Sequence, residues 1–129
     1  MNPSLVNVLL VGGGGALGAI ARYGVGGLVH RNPALAGFPF GTLTVNLVGC
    51  LLIGLGAGLA DARQAIGPEA RLFLVVGVLG GFTTFSSFGY ETVALLRDHE
   101  FLRAGLNAGL NVFAGLLLVW LGYALTGGR

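Results

Sequence analysis

Four long stretches without a single charged residue constrain this chain more than any other feature of its sequence. They are Ser4 to Ala21, Asn32 to Ala60, Leu72 to Tyr90, and Ala104 to Gly128. The hydrocarbon core of a bilayer requires about 20 apolar residues for each helix that crosses it. Charged residues make up only 9% of the chain, compared with roughly 25% in soluble domains. The sequence therefore predicts an all-α membrane protein with four transmembrane helices.

Prolines and charges around these stretches set the expected helix boundaries. Pro33 and Pro39 interrupt the second stretch, so its helix is expected to begin near Phe40. The predicted helices cover approximately residues 4–28, 40–60, 71–96 and 103–126 of a single transmembrane domain, residues 1–129. The first residues lack the positive charge of a signal peptide, and the apolar run that follows is long enough to span. We therefore expect the first helix to be retained.

The arginines show almost no bias between the two sides of the membrane. Four crossings place both termini on the same side. That side holds Arg63, Arg71 and Arg129, and the other side holds Arg22, Arg31, Arg97 and Arg103. Orientation normally follows an excess of Lys and Arg on the cytoplasmic side, and three against four is no such excess. Both orientations are therefore expected, and an antiparallel dual-topology homodimer is the natural consequence.

Glycine is abundant, with 25 residues. Each predicted helix carries two glycines spaced four apart: Gly14/Gly18, Gly54/Gly58, Gly77/Gly81 and Gly105/Gly109. Pairs of small residues at this spacing let helix backbones approach closely in lipid. One small bundle cannot use all four faces internally, so the chain is expected to pack against a second copy of itself.

Composition and motif content exclude several classes of function. The net charge of +2 is spread over separated arginines, so no nucleic-acid partner is expected. Gly13 to Gly18 match the dinucleotide pattern G-x-G-x-x-G, but they lie in an apolar helix without the required strand and acid. The sequence holds one cysteine, Cys50, and its histidines, His30 and His99, fall in polar connections. With no nucleophile–base–acid set and no metal-ligand cluster, the chain is not expected to be an enzyme.

The third predicted helix contains the most informative segment, GGFTTFS at residues 80–86. A glycine pair is unfavourable inside a helix, so the helix is expected to break near Gly80-Gly81. Non-helical backbone at membrane depth is tolerated only if it is buried in protein or lines a cavity, and its freed carbonyls can coordinate a cation. Phe82 and Phe85 are three residues apart and are expected to share a face. They either face lipid or present their ring edges, which carry positive potential and can weakly stabilise an anion.

Polar side chains within the other spans leave alternatives open. Asn46 lies mid-span, and it either bonds a neighbouring helix or lines a pore as a donor. Asn107 and Asn111 lie four apart on one helix face. They form either a polar track or a hydrogen-bonded contact with a neighbouring helix. Arg22 either marks the membrane boundary by snorkelling or draws an anion to a pore mouth.

Three motifs resemble those of the Fluc (CrcB) family of fluoride channels. They read GALGAIARY at residues 15–23, GTLTVNLVG at residues 41–49, and GGFTTFSSF at residues 80–88. Their order, their spacing and the chain length all agree with the family, so the resemblance covers nearly the whole chain. The fourth helix departs from the family pattern, because it offers asparagine where several members have serine or threonine.

The resemblance implies an antiparallel dual-topology homodimer with two narrow pores. Its expected activity is passive, fluoride-selective conduction that exports toxic fluoride. The expected location is the bacterial inner (plasma) membrane, as a multi-pass protein. The partners implied are fluoride, a second copy of the chain and membrane lipid.

The resemblance also implies roles for particular residues. Asn46 would donate to the ion, and Phe82 and Phe85 would form the aromatic part of the pathway. A structural sodium ion at the dimer centre would be held by main-chain oxygens, which we place at Gly80 and Thr83. The other pathway residues implied are Thr84, Asn107 and Asn111 along a polar track, and Glu91 toward a vestibule. Arg22 is added to the pathway at a mouth on the basis of its own charge and position.

Other small membrane proteins fit the residues less well. Multidrug antiporters with four helices need a membrane-embedded carboxylate for proton exchange, and rotary-ring proteolipids need a mid-span acid. No carboxylate is predicted at mid-depth, since span ends or connections hold Asp61, Glu91, Asp98 and Glu100. A purely structural assembly subunit would not explain Asn46 together with the Thr83-Thr84 hydroxyls. A passive channel is therefore the favoured function.

Overall fold

Four long helices form the part of the chain that its computed structural model describes, residues 2–64 and 66–127. Helix α1 spans Pro3–His30, α2 spans Phe40–Arg63, α3 spans Pro68–Arg97, and α4 spans Phe101–Thr126. All four are long and apolar enough to cross a membrane. The prediction of an all-α protein with four spans is thereby confirmed. Of the arginines counted for orientation, Arg129 and the side chain of Arg63 lie outside the described residues.

Prolines and caps set the helix starts. Helices α1 and α3 begin at Pro3 and Pro68, because proline at the first helical position gives up no hydrogen bond. The Asn2 side chain caps α1 by accepting a hydrogen bond from the N–H of Ser4, at 3.0 Å. Pro33–Leu35 forms one 3-10 turn between α1 and α2. Most helix ends lie slightly beyond the predicted bounds.

A tight turn at 98–100 joins α3 to α4. His99 adopts a left-handed conformation, with φ 58°. Its N–H donates to the carbonyl of Leu96 at 3.1 Å, and the N–H of Glu100 donates to the carbonyl of Leu95 at 2.8 Å. This is the Schellman arrangement, which satisfies the last carbonyls of a helix. Helix α4 starts directly afterwards, so α3 and α4 form a short-linked hairpin.

Helix α1 packs against the first half of α3 through glycines. A Cβ atom added at Gly14 would overlap the carbonyl oxygen of Phe73, and one at Gly18 would overlap that of Val78. A Cβ at Gly77 would lie only 2.9 Å from the Cα of Gly14. Contacts advance in the same direction along both helices, so α1 and α3 run parallel. Backbones approach this closely only where no side chain intervenes.

Helices α2 and α4 form a second parallel pair of the same kind. A Cβ at Gly54 would overlap the carbonyl oxygen of Val119, and one at Gly58 would overlap the hydroxyl of Thr126. A Cβ at Gly105 or Gly109 would meet nothing within 4 Å in the part of the chain the structure describes. Three of the four glycine pairs therefore bring helices together within one chain, and the pair in α4 remains open.

Helix α3 is irregular in the middle. Leu72–Leu79 is wound as a π-helix, and α-helical segments follow at Gly80–Phe82 and Phe85–Arg97. Between these segments Thr83 and Thr84 are extended, with φ/ψ of −80°/156° and −148°/116°. Gly80 and Gly81, where the sequence predicts a break, are helical. The extended pair follows the glycines and consists of β-branched residues, which tolerate extended backbone well.

Helix α4 is also irregular, although it carries no extended residue. Its α-helical segments are Phe101–Gly109 and Gly115–Thr126, and Leu110–Ala114 between them is a π-helix. Short π-helical segments often occur at functional sites. The π-helical turn of α4 includes Asn111, which faces α2 close to the extended pair of α3.

Candidate functional site

The side chain of Asn46 holds the extended backbone of Thr84. The N–H of Thr84 donates to Oδ1 of Asn46 at 2.9 Å, and Nδ2 of Asn46 donates to the carbonyl of Thr84 at 3.1 Å. A primary amide offers a donor and an acceptor side by side, so it pairs with extended backbone as a neighbouring strand would. The pairing satisfies both polar groups of Thr84, which would be costly to leave unpaired in a membrane.

A chain of hydrogen bonds continues from Asn46 into α4 and back to α3. Nδ2 of Asn46 also donates to Oδ1 of Asn111 at 2.9 Å. Nδ2 of Asn111 donates to the backbone carbonyl and to Oδ1 of Asn107, at 2.8 and 3.1 Å. Asn107 donates to the hydroxyl of Thr92 at 2.9 Å, and that hydroxyl donates to the carbonyl of Phe88 at 2.8 Å. We call Asn46, Asn111, Asn107 and Thr92 the amide relay.

The amide relay bears on the two alternatives that the sequence leaves open for Asn107 and Asn111. Asn107 is 0% exposed, and its amide bonds α4 to α3. Asn111 bonds α4 to α2. Both amides therefore make hydrogen-bonded helix contacts within this chain. Asn111 also lines a cavity, so it remains close to space that a small ion can reach.

Phe82 and Phe85 do not share a face. Phe82 is buried, with 7% of its surface exposed, whereas Phe85 is 82% exposed. The expectation of one shared face assumed continuous helix from residue 82 to residue 85, and the extended Thr83 and Thr84 interrupt that helix. The ring of Phe85 instead stands edge-to-face with that of Phe88, with centroids 5.4 Å apart and planes at 67°.

The main-chain carbonyls of Gly80 and Thr83 are among those that lose their usual helical partners at the extended pair. In a continuous helix the carbonyl of Gly80 would accept from the N–H of Thr84, and that of Thr83 from the N–H of Ser87. The N–H of Thr84 donates to Asn46 instead, at 2.9 Å. The N–H of Ser87 donates to Oγ1 of Thr84 at 3.2 Å. The oxygens of Gly80 and Thr83 are thus released from the helical pattern.

Arg22 and Glu91 both bond back into the bundle. Nε of Arg22 donates to the carbonyl of Gly81 at 3.1 Å. Oε1 of Glu91 accepts from the hydroxyl of Thr42 at 2.7 Å. Oε2 of Glu91 is buried and has no hydrogen-bond partner among the described residues. Both residues belong to membrane-spanning helices, and each is held by a hydrogen bond to another helix.

Thr84 lines two separate cavities. A groove of about 340 Å³, which we call the Phe85 groove, is lined by residues that include Asn46, Gly80, Thr83, Thr84, Phe85, Phe88 and Asn111. A smaller pocket of about 70 Å³, the Arg22 pocket, is lined by Arg22, Gly26, His30, Gly41, Thr42, Val45, Thr84 and Ser87. Thr84 lines both. Its hydroxyl donates to Oγ of Ser87 at 3.1 Å, so two bonded hydroxyl groups belong to residues that line the Arg22 pocket.

Sequence reasoning missed Thr42 and Thr92, which both hold functional candidates in place. Thr42 lies four residues before Asn46, on the same helix face, and this spacing was a usable signal. Thr92 lies four residues after Phe88 and bonds back to its carbonyl, as threonine often does within helices. Its bond to Asn107 depends on how α3 and α4 face each other, which the sequence does not reveal.

Comparison with known proteins identifies the relatives of this chain. The family model described as "CrcB-like protein, Camphor Resistance (CrcB)" matches residues 9–123. A protein of Thermus thermophilus named "Fluoride-specific ion channel FluC" is 56% identical over 119 residues, 92% of this chain and 94% of the relative. Proteins with the same name are 46% identical in Methylobacillus flagellatus, over 94% of each chain, and 50% identical in Hyphomonas neptunium, over 88% and 90%.

These relatives are named as ion channels rather than as enzymes, which confirms the prediction that the chain is not an enzyme. Their name also agrees with the channel family whose motifs the sequence resembles. The family model covers most of α1 and α4 and all of α2 and α3, including the Phe85 groove and the amide relay. On the family model and these identities, the chain belongs to the CrcB family.

Proposed function

We propose that this protein is a passive, fluoride-selective channel that exports fluoride across the bacterial inner membrane and relieves fluoride toxicity. The structural observation that carries the proposal is the position of Thr84, which lines both cavities and is clasped by the mid-span amide of Asn46. The names of relatives up to 56% identical support fluoride as the conducted ion.

Fluoride is small and strongly hydrated, so a pore must replace its water with other donors. A path from the Arg22 pocket to the Phe85 groove would pass Thr84 and would offer the ion the hydroxyls of Thr84 and Ser87. The guanidinium of Arg22 lies at one end and supplies positive potential to draw an anion in. Neutral donors along the rest of the path suit conduction, because an ion must bind strongly enough to enter and weakly enough to leave.

The aromatic part of the proposed pathway begins with the exposed ring of Phe85. Its surroundings in the Phe85 groove are mostly apolar, and Phe88 presents a ring close by. Ring edges carry positive potential, so they can replace some of the water around a fluoride ion. The complete set of proposed pathway residues is Arg22, Asn46, Phe82, Thr84, Phe85, Glu91, Asn107 and Asn111.

A structural sodium ion at the centre of the dimer is part of the proposal. The carbonyls of Gly80 and Thr83 suit such an ion, because both have lost their helical amide partners and both residues line the Phe85 groove. Backbone carbonyls freed by a helix interruption are suitable ligands for sodium in membrane proteins. Its charge would offset the cost of bringing an anion into a region of low dielectric.

We further propose that the chain works as an antiparallel dual-topology homodimer. Phe85 is 82% exposed, and the Gly105/Gly109 face of α4 stays open within one chain. A second copy would cover such faces and complete the Phe85 groove. The balance of arginines between the two sides supports insertion in both directions. Topology reporters fused to the C terminus test this, because a single orientation would contradict an antiparallel dimer.

The channel function is tested with purified full-length protein in liposomes loaded with fluoride. A fluoride electrode measures efflux after an ionophore releases the counter-ion, and chloride-loaded vesicles are measured in parallel. We expect fluoride efflux well above that of fluoride-loaded vesicles without protein, and little chloride efflux. Equal rates for the two anions, or fluoride efflux no faster than leakage, would rule out a fluoride-selective channel.

A further inference from the structure

Asn46 has no amide hydrogen left to offer an anion in the arrangement observed. Its side chain carries two N–H groups, and both are used. Nδ2 donates to the carbonyl of Thr84 at 3.1 Å and to Oδ1 of Asn111 at 2.9 Å. An anion that binds Asn46 must therefore take the place of one of these two oxygens.

The oxygen of Asn111 is the one that can leave. The carbonyl of Thr84 belongs to a two-bond pairing with Asn46 that also satisfies the N–H of Thr84. Displacing that carbonyl would disturb the extended backbone of α3. Asn111 makes only one hydrogen bond to Asn46 and is otherwise held by two bonds from its Nδ2 to Asn107. Its Oδ1 can therefore be displaced without disturbing the backbone of α3. Both Asn46 and Asn111 line the Phe85 groove, so an ion there can reach the bond between them.

Backbone groups fix which way each amide points. The N–H of Thr84 can only donate, so Oδ1 of Asn46 faces it and Nδ2 faces Asn111. The backbone carbonyl of Asn107 can only accept, so Nδ2 of Asn111 faces it and Oδ1 faces Asn46. Asn111 therefore presents an oxygen, and not an N–H group, at the point where an anion would bind. The Oδ1 of Asn111 accepts a hydrogen bond from Asn46, as the anion itself would. Asn111 therefore takes the place of the anion and does not bind it.

We infer that Asn111 is an internal competitor that determines the affinity of the channel for its anion, with its Oδ1 occupying the place on Asn46 that fluoride must take. The inference rests on the proposed fluoride function. An ion that binds Asn46 breaks the bond to Asn111, and an ion that leaves allows the bond to reform. Binding is weakened by this exchange, and release is favoured, as conduction requires.

The competitor and ligand roles predict opposite effects when the Asn111 oxygen is removed. A ligand contributes to binding, so its removal would raise the fluoride concentration at which efflux is half-maximal. A competitor opposes binding, so its removal would lower that concentration. A single neutral hydrogen bond contributes enough to shift the half-maximal concentration by about threefold to tenfold.

The test measures initial fluoride efflux over a range of fluoride concentrations, with full-length protein in liposomes. Asn111→Ala removes the oxygen and Asn111→Leu removes it while keeping most of the side-chain volume. Asn7→Ala is the matched control, because Asn7 is an exposed amide in α1, remote from the relay. We expect both Asn111 variants to lower the half-maximal concentration threefold to tenfold, and the control to match the unaltered chain.

The inference is overturned if the unaltered chain conducts fluoride and the half-maximal concentration is unchanged or raised in the Asn111 variants. The proposed function is not affected by that result. If only Asn111→Ala lowers the half-maximal concentration, the cause is the added space rather than the lost oxygen, and the inference also fails. An unaltered chain that conducts no fluoride contradicts the proposed function and this inference together. Elution of each variant at the position of the parent on size-exclusion chromatography shows that it has folded.

Discussion

Asn46 and Thr84 lie on different helices and are joined by two hydrogen bonds that run in opposite directions, of 2.9 and 3.1 Å. The side chain of Asn46 thus forms the two backbone hydrogen bonds that Thr84 would otherwise make within a continuous helix. The pairing allows α3 to open inside the membrane without leaving the N–H or the carbonyl of that residue unpaired. The same amide of Asn46 also belongs to the relay, and Asn46 and Thr84 both line the Phe85 groove.

Asn46→Ala is expected to destabilise the protein and to abolish fluoride efflux. The substitution leaves the N–H and the carbonyl of Thr84 without partners, and each unsatisfied buried group costs about 1–3 kcal/mol. Thermal unfolding in detergent and efflux from liposomes measure the two effects. Asn7→Ala serves as the control and should behave like the parent. Undiminished efflux in Asn46→Ala would exclude this amide from the pathway.

Thr92→Val is expected to lower stability by about 1–3 kcal/mol, because it leaves the fully buried amide of Asn107 without its acceptor. Valine has nearly the shape of threonine, so packing between α3 and α4 is preserved. Thr92→Ser keeps the hydroxyl and should lie close to the parent in both stability and efflux. Equal losses in the valine and serine variants would attribute the effect to packing rather than to the relay.

Phe85→Ile is expected to reduce fluoride efflux strongly while leaving the fold intact, because the ring is 82% exposed within one chain. Phe113→Ile is the matched control, since Phe113 is also an exposed ring but does not line the Phe85 groove. Efflux from liposomes and thermal unfolding separate the two kinds of effect. If Phe85→Ile conducts as fast as Phe113→Ile, the ring of Phe85 has no part in conduction.

Gly54→Ala and Gly56→Ala test the parallel packing of α2 and α4. A Cβ at Gly54 would overlap the carbonyl of Val119, whereas one at Gly56 would meet nothing within 4 Å among the described residues. Overpacking of this kind costs about 1–3 kcal/mol. We expect a lower unfolding temperature for Gly54→Ala and an unchanged or slightly higher one for Gly56→Ala. The reverse order would contradict the contact between these two helices.

Removal of sodium is expected to lower fluoride efflux, if the carbonyls of Gly80 and Thr83 hold that ion. Protein purified and reconstituted with N-methyl-glucamine as the only cation is compared with protein kept in sodium. Restoring sodium to the same vesicles should recover the rate. Identical efflux under all three conditions would count against a structural role for sodium.

The sequence predicts the four spans well, because length and lack of charge determine them independently of packing. It also predicts three of the glycine contacts, since small residues four apart mark close approach wherever helices meet. It does not predict which helices pair. That α1 contacts α3, and α2 contacts α4, depends on the arrangement of the whole bundle.

For the functional residues too, the sequence predicts which residues matter better than it predicts their contacts. Asn46 and Thr84 can be recognised from their polarity within apolar spans, but their mutual pairing cannot. The spacing of Phe82 and Phe85 is misleading, because it assumes the helical geometry that Thr83 and Thr84 abandon. The direction of each bond in the amide relay is determined only by the backbone groups of Thr84 and Asn107 at its contacts.

The pairing of alternate helices has a consequence for how the protein is made. When only α1 and α2 have left the ribosome, neither of the two parallel pairs can form, because each needs a helix that has not yet been synthesised. The arrival of α3 completes the first pair, and that of α4 completes the second. Each helix must therefore persist in lipid before its parallel partner has been made, and the length and apolar composition of all four spans allow this.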